Sequence, residues 1–169
     1  MTEPATPATP SQLFAYLAEL DIETSTVTHP AVFTVDEAKQ LRGTLPGAHS
    51  KSLFLRNKKG RMWLVVALED RRIDLKALGE QLQAGRLSFG SPERLMQYLG
   101  VIPGAVTPFG AINDQGGEVQ IALDQEMLDG DLLNFHPLDN TQTTAITPGG
   151  LIRFLQATGH SPEMIDFSL

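Results

Sequence analysis

The sequence predicts an α+β domain with a mixed, mostly antiparallel sheet and flanking helices. Predicted strands often follow one another directly along the chain, so the regular strand–helix alternation of a parallel sheet is absent. The length of 169 residues suits one domain. A content of 41% hydrophobic and 20% charged residues is typical of a folded globular protein. We therefore expect a single domain that is long enough to bury a hydrophobic core.

Residues 1–10 are expected to form a disordered leader, and residues 11–169 to form the domain. The leader has three prolines among Thr and Ala, and it has neither the basic nor the apolar segment of a secretory signal. The longest apolar run, over residues 62–68, is too short to cross a bilayer. We expect a cytoplasmic protein that has no membrane partner.

The elements of the N-terminal part are expected in the order helix, strand, helix, loop. Ser11 is a suitable cap for a first helix with apolar residues at helical spacing. The β-branched residues 24–28 predict a strand. Residues 34–37 have the pattern of a capping box and predict a short helix to Leu41. A loop is expected over residues 43–50.

The hairpin over residues 51–68 is the clearest local prediction, because two apolar segments flank the turn Asn57-Lys58-Lys59-Gly60. A helix is expected around Leu75, Leu78 and Leu82. The remaining predictions are a helix from Ser91-Pro92 to Gly100, strands over 112–114 and 119–123 paired around Gly116-Gly117, short strands over 132–135 and 143–146, and a last helix from Thr147-Pro148.

Composition excludes several classes of site. The chain has no cysteine, which rules out disulfides, thiolate metal sites and a cysteine nucleophile. None of the common nucleotide-binding, serine-hydrolase or zinc-protease motifs occurs. The histidines do not have the spacing of metal ligands; they are His29, His49, His136 and His160. We therefore expect no metal and no cofactor.

Charge is segregated along the chain. The net charge of −7 argues against general nucleic-acid binding and against a DNA partner. Residues 38–68, however, contain seven of the 13 basic residues and no acid. From Val101 onward the only basic residue is Arg153, against nine acids. This pattern predicts a localised site for an anion, or else a solvated hairpin whose lysines protect a sheet edge.

Four segments have residues suited to chemistry. The loop at 47–51 presents Lys51, which can hold a phosphate or a carbonyl oxygen. The glycine loop at 104–108 exposes backbone groups that can bind an oxyanion. Residues 134–144 place His136 between an aromatic strand and a proline turn, and residues 29–34 form a small apolar patch. The ordinary alternatives are an edge lysine, a turn, a core histidine and a hydrophobic staple.

Together these segments resemble the YbaK/ProX family of aminoacyl-tRNA editing domains, and within it the free-standing ProXp-ala (PrdX) branch, also known as the prolyl-tRNA synthetase associated domain. The resemblance covers nearly the whole chain after the leader. The matching segments are HPAVFTVDEA, GAHSKSLFL, WLVVALEDRRIDLKAL, RLSFGSPERL, GVIPGAVTPFGAIND and NFHPLDNTQTT. One departure is Ser52, where Asn is expected after the lysine in this branch.

The resemblance implies a β-barrel-like sheet and hydrolysis, in trans, of the ester of mischarged tRNA, with Ala-tRNA(Pro) as substrate. It implies that Lys51 orients the ester and the adjacent phosphate, that the Gly104 backbone holds the ribose and the carbonyl, and that His136 lines the pocket. Water would attack, activated by the ribose 2′-hydroxyl. The implied substrate contacts are Pro30, Val32, Phe33, Ser52, Thr107 and Pro108, and the tRNA contacts are Arg56, Lys58, Lys59 and Arg61.

Three alternatives remain open from the sequence. A related deacylase would act on Cys, Ser or Thr attached to tRNA. A non-catalytic module would bind tRNA or prolyl-tRNA synthetase and would not need Lys51. A metal-dependent hydrolase would be sensitive to chelators. The expected partners are the acceptor end of a mischarged tRNA and, second, prolyl-tRNA synthetase.

Overall fold

A computed structural model describes residues 6–29 and 48–167. The α-helices in these ranges are α1 (Pro10–Glu19), α2 (Leu75–Gln81), α3 (Pro92–Leu99) and α4 (Pro148–Ala157), and the 3-10 helices are η1 (Pro103–Ala105), η2 (Pro108–Asn113) and η3 (Met127–Asp129). The strands are β1 (Thr24–Thr28), β2 (Ala48–Arg56), β3 (Met62–Leu68), β4 (Ser88–Phe89), β5 (Val119–Asp124), β6 (Leu133–Phe135), β7 (Gln142–Ile146) and β8 (Glu163–Ile165).

The described strands form one mixed sheet in the order β1-β7-β6-β2-β3-β5-β8, with β4 paired to the end of β2. Pairing is parallel for β2–β6, β3–β5 and β5–β8. It is antiparallel for β1–β7, β2–β3, β2–β4 and β6–β7. The predicted α+β class, with a mixed sheet and flanking helices, is confirmed.

Strand β2 changes its neighbour along its length. Its first residues pair with β6, where His49 is opposite Asn134. Its last residues pair with β4, where Leu55 is opposite Phe89. Between these ends, the edge over residues 50–54 has no adjacent strand in the described part of the chain. Among residues 6–29 and 48–167, the sheet is therefore open along the middle of β2.

The main-chain groups that face this opening can be assigned from the hydrogen bonds around β2. The Gly90 N–H donates to the Phe54 carbonyl on the open side (2.9 Å), whereas the Glu69 N–H donates to the His49 carbonyl on the β3 side (3.0 Å). Alternate residues of a strand direct their N–H and C=O groups to opposite edges. The main-chain groups of Ser50 and Ser52 therefore face the opening.

The two faces of the sheet carry separate apolar clusters. Phe54, Leu64 and Val66 belong to the main core, which also contains buried residues of α1, α3 and α4. Leu55 and Trp63, on the other face, pack in a smaller cluster with buried residues of α2. Alternation along β2 and β3 explains this division, since successive side chains point to opposite faces.

Two predicted boundaries in the N-terminal part need correction. Helix α1 begins at Pro10, because the Thr9 hydroxyl accepts the Gln12 N–H as the N-cap in place of Ser11. The last residue of the expected leader thus belongs to a helix, and the Ala8 N–H donates to the Asn113 side chain (2.8 Å). Strand β2 begins at Ala48, inside the predicted loop over 43–50. The predicted helix over 34–41 lies outside the described residues.

The predicted hairpin around Gly116-Gly117 is wrong. Residues 112–113 end the 3-10 helix η2, and β5 pairs in parallel with β3. The reason is Asp114, whose carboxylate accepts the N–H groups of Glu118 (3.1 Å) and Val119 (2.8 Å) and so closes a compact turn. Strand β8, which was not predicted, extends the sheet beyond β5.

A buried polar contact fixes this turn to the C-terminal segment. The His160 Nε2 atom lies 2.9 Å from Asp114 Oδ2, and both side chains are 3% exposed. The His160 Nδ1 atom lies 3.0 Å from the Thr158 hydroxyl. A buried carboxylate is tolerated only when hydrogen bonds and a partner replace its hydration. The contact therefore holds β8 against the rest of the sheet.

Replacing His160 by Ala should lower the free energy of unfolding by about 3 kcal/mol, because the Asp114 carboxylate loses its buried partner. Urea denaturation followed by circular dichroism measures this change. Ser161→Ala is the matched control, since Ser161 is exposed beside His160 and should change stability by less than about 0.5 kcal/mol. Equal stability of the two variants would contradict this role of the contact.

Candidate functional site

A cavity of about 220 Å³ lies at the open section of β2. Four consecutive residues of β2 line it on one side, η1 and its flanking residues line it opposite, and β6 and β7 complete it. The lining residues are His49, Ser50, Lys51, Ser52, Glu69, Pro103, Gly104, Val106, Asn134, Phe135, His136 and Thr143. The volume is below the range of about 300–1,000 Å³ usual for drug-sized ligands, so the cavity suits a small chemical group.

Lys51, Gly104 and His136, which are far apart in the sequence, all line this cavity. The Lys51 side chain is half-buried, and its Nζ donates a hydrogen bond to the Arg71 carbonyl in the loop after β3. A lysine held in this way presents its charge at one place rather than over the range of its flexible stem.

His136 has a defined tautomer in its neutral form. Its Nδ1 lies 3.0 Å from the Gln142 carbonyl, which can only accept, so Nδ1 carries the proton and Nε2 is left as an acceptor. Burial lowers the pKa of His136 below the ordinary 6.5, and the nearby His29 lowers it further. The His29 and His136 ring centroids are 6.3 Å apart. His136 is therefore a neutral imidazole at pH 7.

Polar groups on β7 and in the preceding turn surround the two imidazoles. The His29 Nε2 atom lies 2.8 Å from the hydroxyl of Thr143, a residue of the cavity wall. The hydroxyl and N–H of Thr141 both donate to Asp139 at 2.7 Å and lower the pKa of its carboxyl group. This end of the cavity therefore has imidazole and hydroxyl groups in its wall, and the Asp139 carboxylate interacts electrostatically with His136 from outside the described wall.

The glycine loop presents different residues from those expected. Pro103, Gly104 and Val106 line the cavity. Thr107 and Pro108, expected as substrate contacts, are buried and do not occur among the described residues of the cavity wall. The reason is local, because the Thr107 hydroxyl accepts the Phe109 N–H (3.2 Å) and caps η2, which begins at Pro108.

Ser52, which was predicted as a substrate contact, lies in the cavity wall. The other expected wall residues, Pro30, Val32 and Phe33, lie outside the described residues. Ser50, Asn134 and Thr143 lie within the quoted motifs, but they were not predicted as site residues. The contact between the Ser50 hydroxyl and the Asn134 carbonyl (3.3 Å) depends on the β2–β6 pairing, which the sequence does not reveal.

The basic residues of the hairpin are placed apart from the cavity. Arg56, Lys58, Lys59 and Arg61 lie at the β2–β3 end and do not occur among the described lining residues. Arg56 is five residues beyond Lys51, a distance of about 17 Å along an extended strand. The Arg61 guanidinium lies 5.3 Å from the centroid of the Trp63 ring. Any ligand common to both regions must extend over this distance.

Neither a metal centre nor a membrane span is found in the parts of the chain that the structure describes. Over residues 6–29 and 48–167, no three His, Asp or Glu side chains are grouped as metal ligands. Within the same ranges, no helix has the length and apolarity needed to cross a bilayer. The described wall of the site is built from amine, imidazole, hydroxyl, amide, carboxylate and main-chain groups.

Comparison with known proteins decides the family. The family model "Aminoacyl-tRNA editing domain" matches residues 29–154, a range that includes Lys51, Gly104 and His136. The chain belongs to the aminoacyl-tRNA editing domain family. The family resemblance predicted from the sequence is thereby confirmed, and the cavity lies within the matched part of this editing domain.

Related proteins match the editing domain over most of their length. Prolyl-tRNA synthetase associated domain-containing protein 1 of Xenopus laevis is 41% identical over 92% of this chain and 95% of its own. Prolyl-tRNA editing protein ProX of Acetoanaerobium sticklandii is 36% identical, over 91% of this chain and 94% of its own length. A solved structure described as a candidate trans-editing enzyme for prolyl tRNA synthetase has a TM-score of 0.69 and 22% sequence identity. The match covers 94% of this chain and 96% of the solved chain, and it shows that the two share a fold.

The lowered pKa of His136 makes the stability of the editing domain depend on pH. The unfolded chain takes up a proton near pH 6.5, whereas folded His136 resists protonation until lower pH. Stability from this group is therefore present above pH 6.5 and is lost as the pH falls below it. Urea denaturation at pH 7.5 and pH 5.5 should show a smaller loss on acidification for His136→Asn than for the wild type. Identical losses would contradict the burial of a neutral imidazole.

Proposed function

We propose that the editing domain is a trans-acting aminoacyl-tRNA deacylase that hydrolyses the ester of mischarged tRNA, with Ala-tRNA(Pro) as its substrate. The observation that carries the proposal is the meeting of Lys51, Gly104 and His136 in one small cavity. Membership of the editing family supports the reaction class. The names of the relatives, which refer to prolyl-tRNA synthetase and prolyl-tRNA editing, support the choice of tRNA.

Amino-acid size explains the need for such an enzyme. A synthetase pocket that accepts proline rejects the smaller alanine poorly, since each missing methylene changes binding by only about 1–3 kcal/mol. A second, smaller site can hydrolyse the wrong product and exclude the right one. The cavity of about 220 Å³, with Val106 and Phe135 in its wall, is of a size to accept a methyl side chain.

The proposed reaction is hydrolysis of an ester by water. The water oxygen forms a bond to the ester carbonyl carbon, the bond from that carbon to the ribose 3′-oxygen breaks, and a proton passes to that oxygen. The adjacent ribose 2′-hydroxyl would help to remove the proton from water. The products are free amino acid and tRNA, and positioning together with electrostatic stabilisation supplies the acceleration.

The side chains have distinct roles in this proposal. The Lys51 ammonium orients the ester and the adjacent phosphate as a point charge. The main chain at Gly104, with that of Ser52 across the cavity, holds the ribose and the carbonyl oxygen. The neutral His136 accepts a hydrogen bond at Nε2 from the α-ammonium group of the amino acid. No metal ion takes part.

Binding of the rest of the tRNA is proposed for the basic end of the hairpin, formed by Arg56, Lys58, Lys59 and Arg61. An ester in the cavity would place the phosphates several nucleotides away within reach of this end, about 17 Å from Lys51. Charge interactions of this kind weaken as the salt concentration rises, because the release of counterions from the RNA then gains less free energy. We further propose that the protein acts in the cytoplasm alongside prolyl-tRNA synthetase.

A deacylase for Ser or Thr attached to tRNA is the second candidate. The cavity wall is rich in hydroxyl and amide residues, namely Ser50, Ser52, Asn134 and Thr143. Such groups can bind a substrate hydroxyl, and a wall of this kind discriminates against a substrate that lacks one. The relative rates on alanyl and seryl esters therefore decide between the two candidates.

Lys51→Met should reduce the single-turnover rate on Ala-tRNA(Pro) by about a hundredfold, because the ammonium that orients the reacting group is removed. Lys76→Met is the control, since Lys76 is exposed on α2 and lies outside the described cavity wall. The same assay is carried out with prolyl-, cysteinyl-, seryl- and threonyl-tRNA(Pro) as comparison substrates, each with and without EDTA.

Cleavage of the alanyl ester alone, slowed about a hundredfold in Lys51→Met and unaffected by EDTA, supports the proposal. Faster cleavage of the seryl or threonyl ester selects the second candidate. Binding of tRNA without cleavage of any ester would show a binding module, and loss of the reaction in EDTA would show a metal-dependent hydrolase.

Replacing Lys58 and Lys59 together by Ala should raise KM for Ala-tRNA(Pro) and leave kcat unchanged, because both lie far from the ester. The slope of log(kcat/KM) against log[salt] should become shallower by about 0.7 for each single-strand phosphate that the variant no longer neutralises. Arg72→Ala/Lys76→Ala, which removes two exposed positive charges elsewhere, serves as the control for net charge. An unchanged salt slope would remove the hairpin end from the proposed tRNA-binding surface.

A further inference from the structure

We propose that Arg71 is a positioning residue for Lys51, because its anchored side chain fixes the carbonyl group to which the Lys51 ammonium is bound. The contact between the two residues is seen in the structure. The effect on turnover rests on the proposed function, in which Lys51 orients the aminoacyl ester.

The loop after β3 contains two adjacent arginines with different surroundings. The Arg71 N–H donates to the Leu68 carbonyl (3.0 Å) and closes a turn directly after β3. The Arg71 side chain is 18% exposed and points to carboxylates, whereas Arg72 is exposed. Arg71 is therefore the position to test, and a substitution of the neighbouring Arg72 is the matched control.

Asp124, at the end of β5, anchors the Arg71 side chain. Its carboxylate, 1% exposed, accepts the Arg71 Nε–H at 2.7 Å and also the N–H groups of Leu68 and Glu126 at 3.1 Å. The hydrogen bond to Asp124 raises the pKa of Arg71. A buried carboxylate strongly favours a paired cation, so the guanidinium has one well-defined position.

Two further contacts restrict Arg71. Its Nη2 donates to Glu126, whose side chain is 68% exposed, so this ion pair is weakened by water. Its guanidinium carbon lies 5.1 Å from the centroid of the Phe167 ring. Asp124 is therefore the main anchor, and the C-terminal segment covers the guanidinium.

This anchoring determines where the Lys51 charge lies. A lysine side chain has a flexible four-carbon stem and many rotamers. On β2, Lys51 is opposite Ala67 of β3, so its ammonium is near the loop that follows β3. The Arg71 carbonyl accepts from Nζ and selects one of the available rotamers. If the loop moved, the ammonium would lose this acceptor and its fixed position, while the Lys51 residue would still lie in the cavity wall.

The test uses Arg71→Gln/Asp124→Asn, which removes the cation and the buried carboxylate together and so leaves no uncompensated charge. We expect kcat on the cleaved aminoacyl-tRNA to fall about ten- to a hundredfold and KM to stay within about twofold. Arg72→Gln should match the wild type. In a Lys51→Met background, the double change should have no further effect on the single-turnover rate, since a residue that acts through Lys51 has nothing left to position.

A second readout does not depend on activity. Hydrogen bonding slows the exchange of ammonium protons with water, so ¹⁵N-edited NMR should show a Lys51 Nζ signal in the wild type and in Arg72→Gln. Lys51→Met assigns the signal by its loss. The signal should also disappear in the Arg71/Asp124 variant, provided that circular dichroism shows native secondary structure. If that variant does not fold, Arg71→Lys, which keeps the charge beside Asp124, takes its place and should lose the signal in part.

Retention of the Lys51 signal, or of full kcat, in a folded Arg71 variant would overturn the positioning role. If the double change lowered the rate by the same factor in the Lys51→Met background as in the wild type, the positioning role would also be overturned. The effect would then come from a change in the structure that does not act through Lys51. Failure of the proposed function is distinguishable, because the wild type would then cleave no ester, or Lys51→Met would keep full turnover, while the NMR result would still report the contact.

Discussion

Along one edge of β2, the described strands pair only with its two ends, and the site depends on this constraint. A strand that has a neighbour along its whole edge has no free main-chain groups to offer a ligand. Here β6 covers the first residues of that edge and β4 the last, and the cavity lies between them. The η1 loop with Gly104 faces the gap, and the turn that carries His136 closes one end.

Two of the acidic residues have a structural role. Asp114 and Asp124 are buried and accept main-chain N–H groups at turns beside β5. Asp114 holds the C-terminal segment through His160, and Asp124 holds the loop after β3 through Arg71. These carboxylates organise the half of the sheet around β5.

The sequence predictions are accurate where an element depends on residues close together in the sequence. They are less accurate where an element depends on residues far apart in the sequence. The β2–β3 hairpin and the helices capped at Ser91 and Thr147 have local signals, and all three are confirmed. Gly100, with φ +68, ends α3 as expected. The parallel β3–β5 pair and β8 were missed, because parallel pairing has no turn signal and depends on contacts distant in sequence.

The same distinction applies to the site. Gly104, His136, Lys51 and Ser52 were identified from motifs and meet in the cavity. Thr107 belongs to the same glycine-loop motif as Gly104. Its hydroxyl caps η2, and the motif alone does not predict this contact. The Arg71–Asp124 pair joins residues 53 positions apart, so it is visible only in three dimensions.

Chemical-shift mapping with a stable substrate analogue tests the central claim most directly. The ligand is 3′-alanylamino-3′-deoxyadenosine, in which an amide replaces the labile ester, titrated into ¹⁵N-labelled protein. The account predicts the largest shifts at Ser50–Ser52, Gly104 and His136, with little change at the Lys58-Lys59 turn. Shifts confined to residues outside the cavity, with the β2 edge and His136 unaffected, would contradict it.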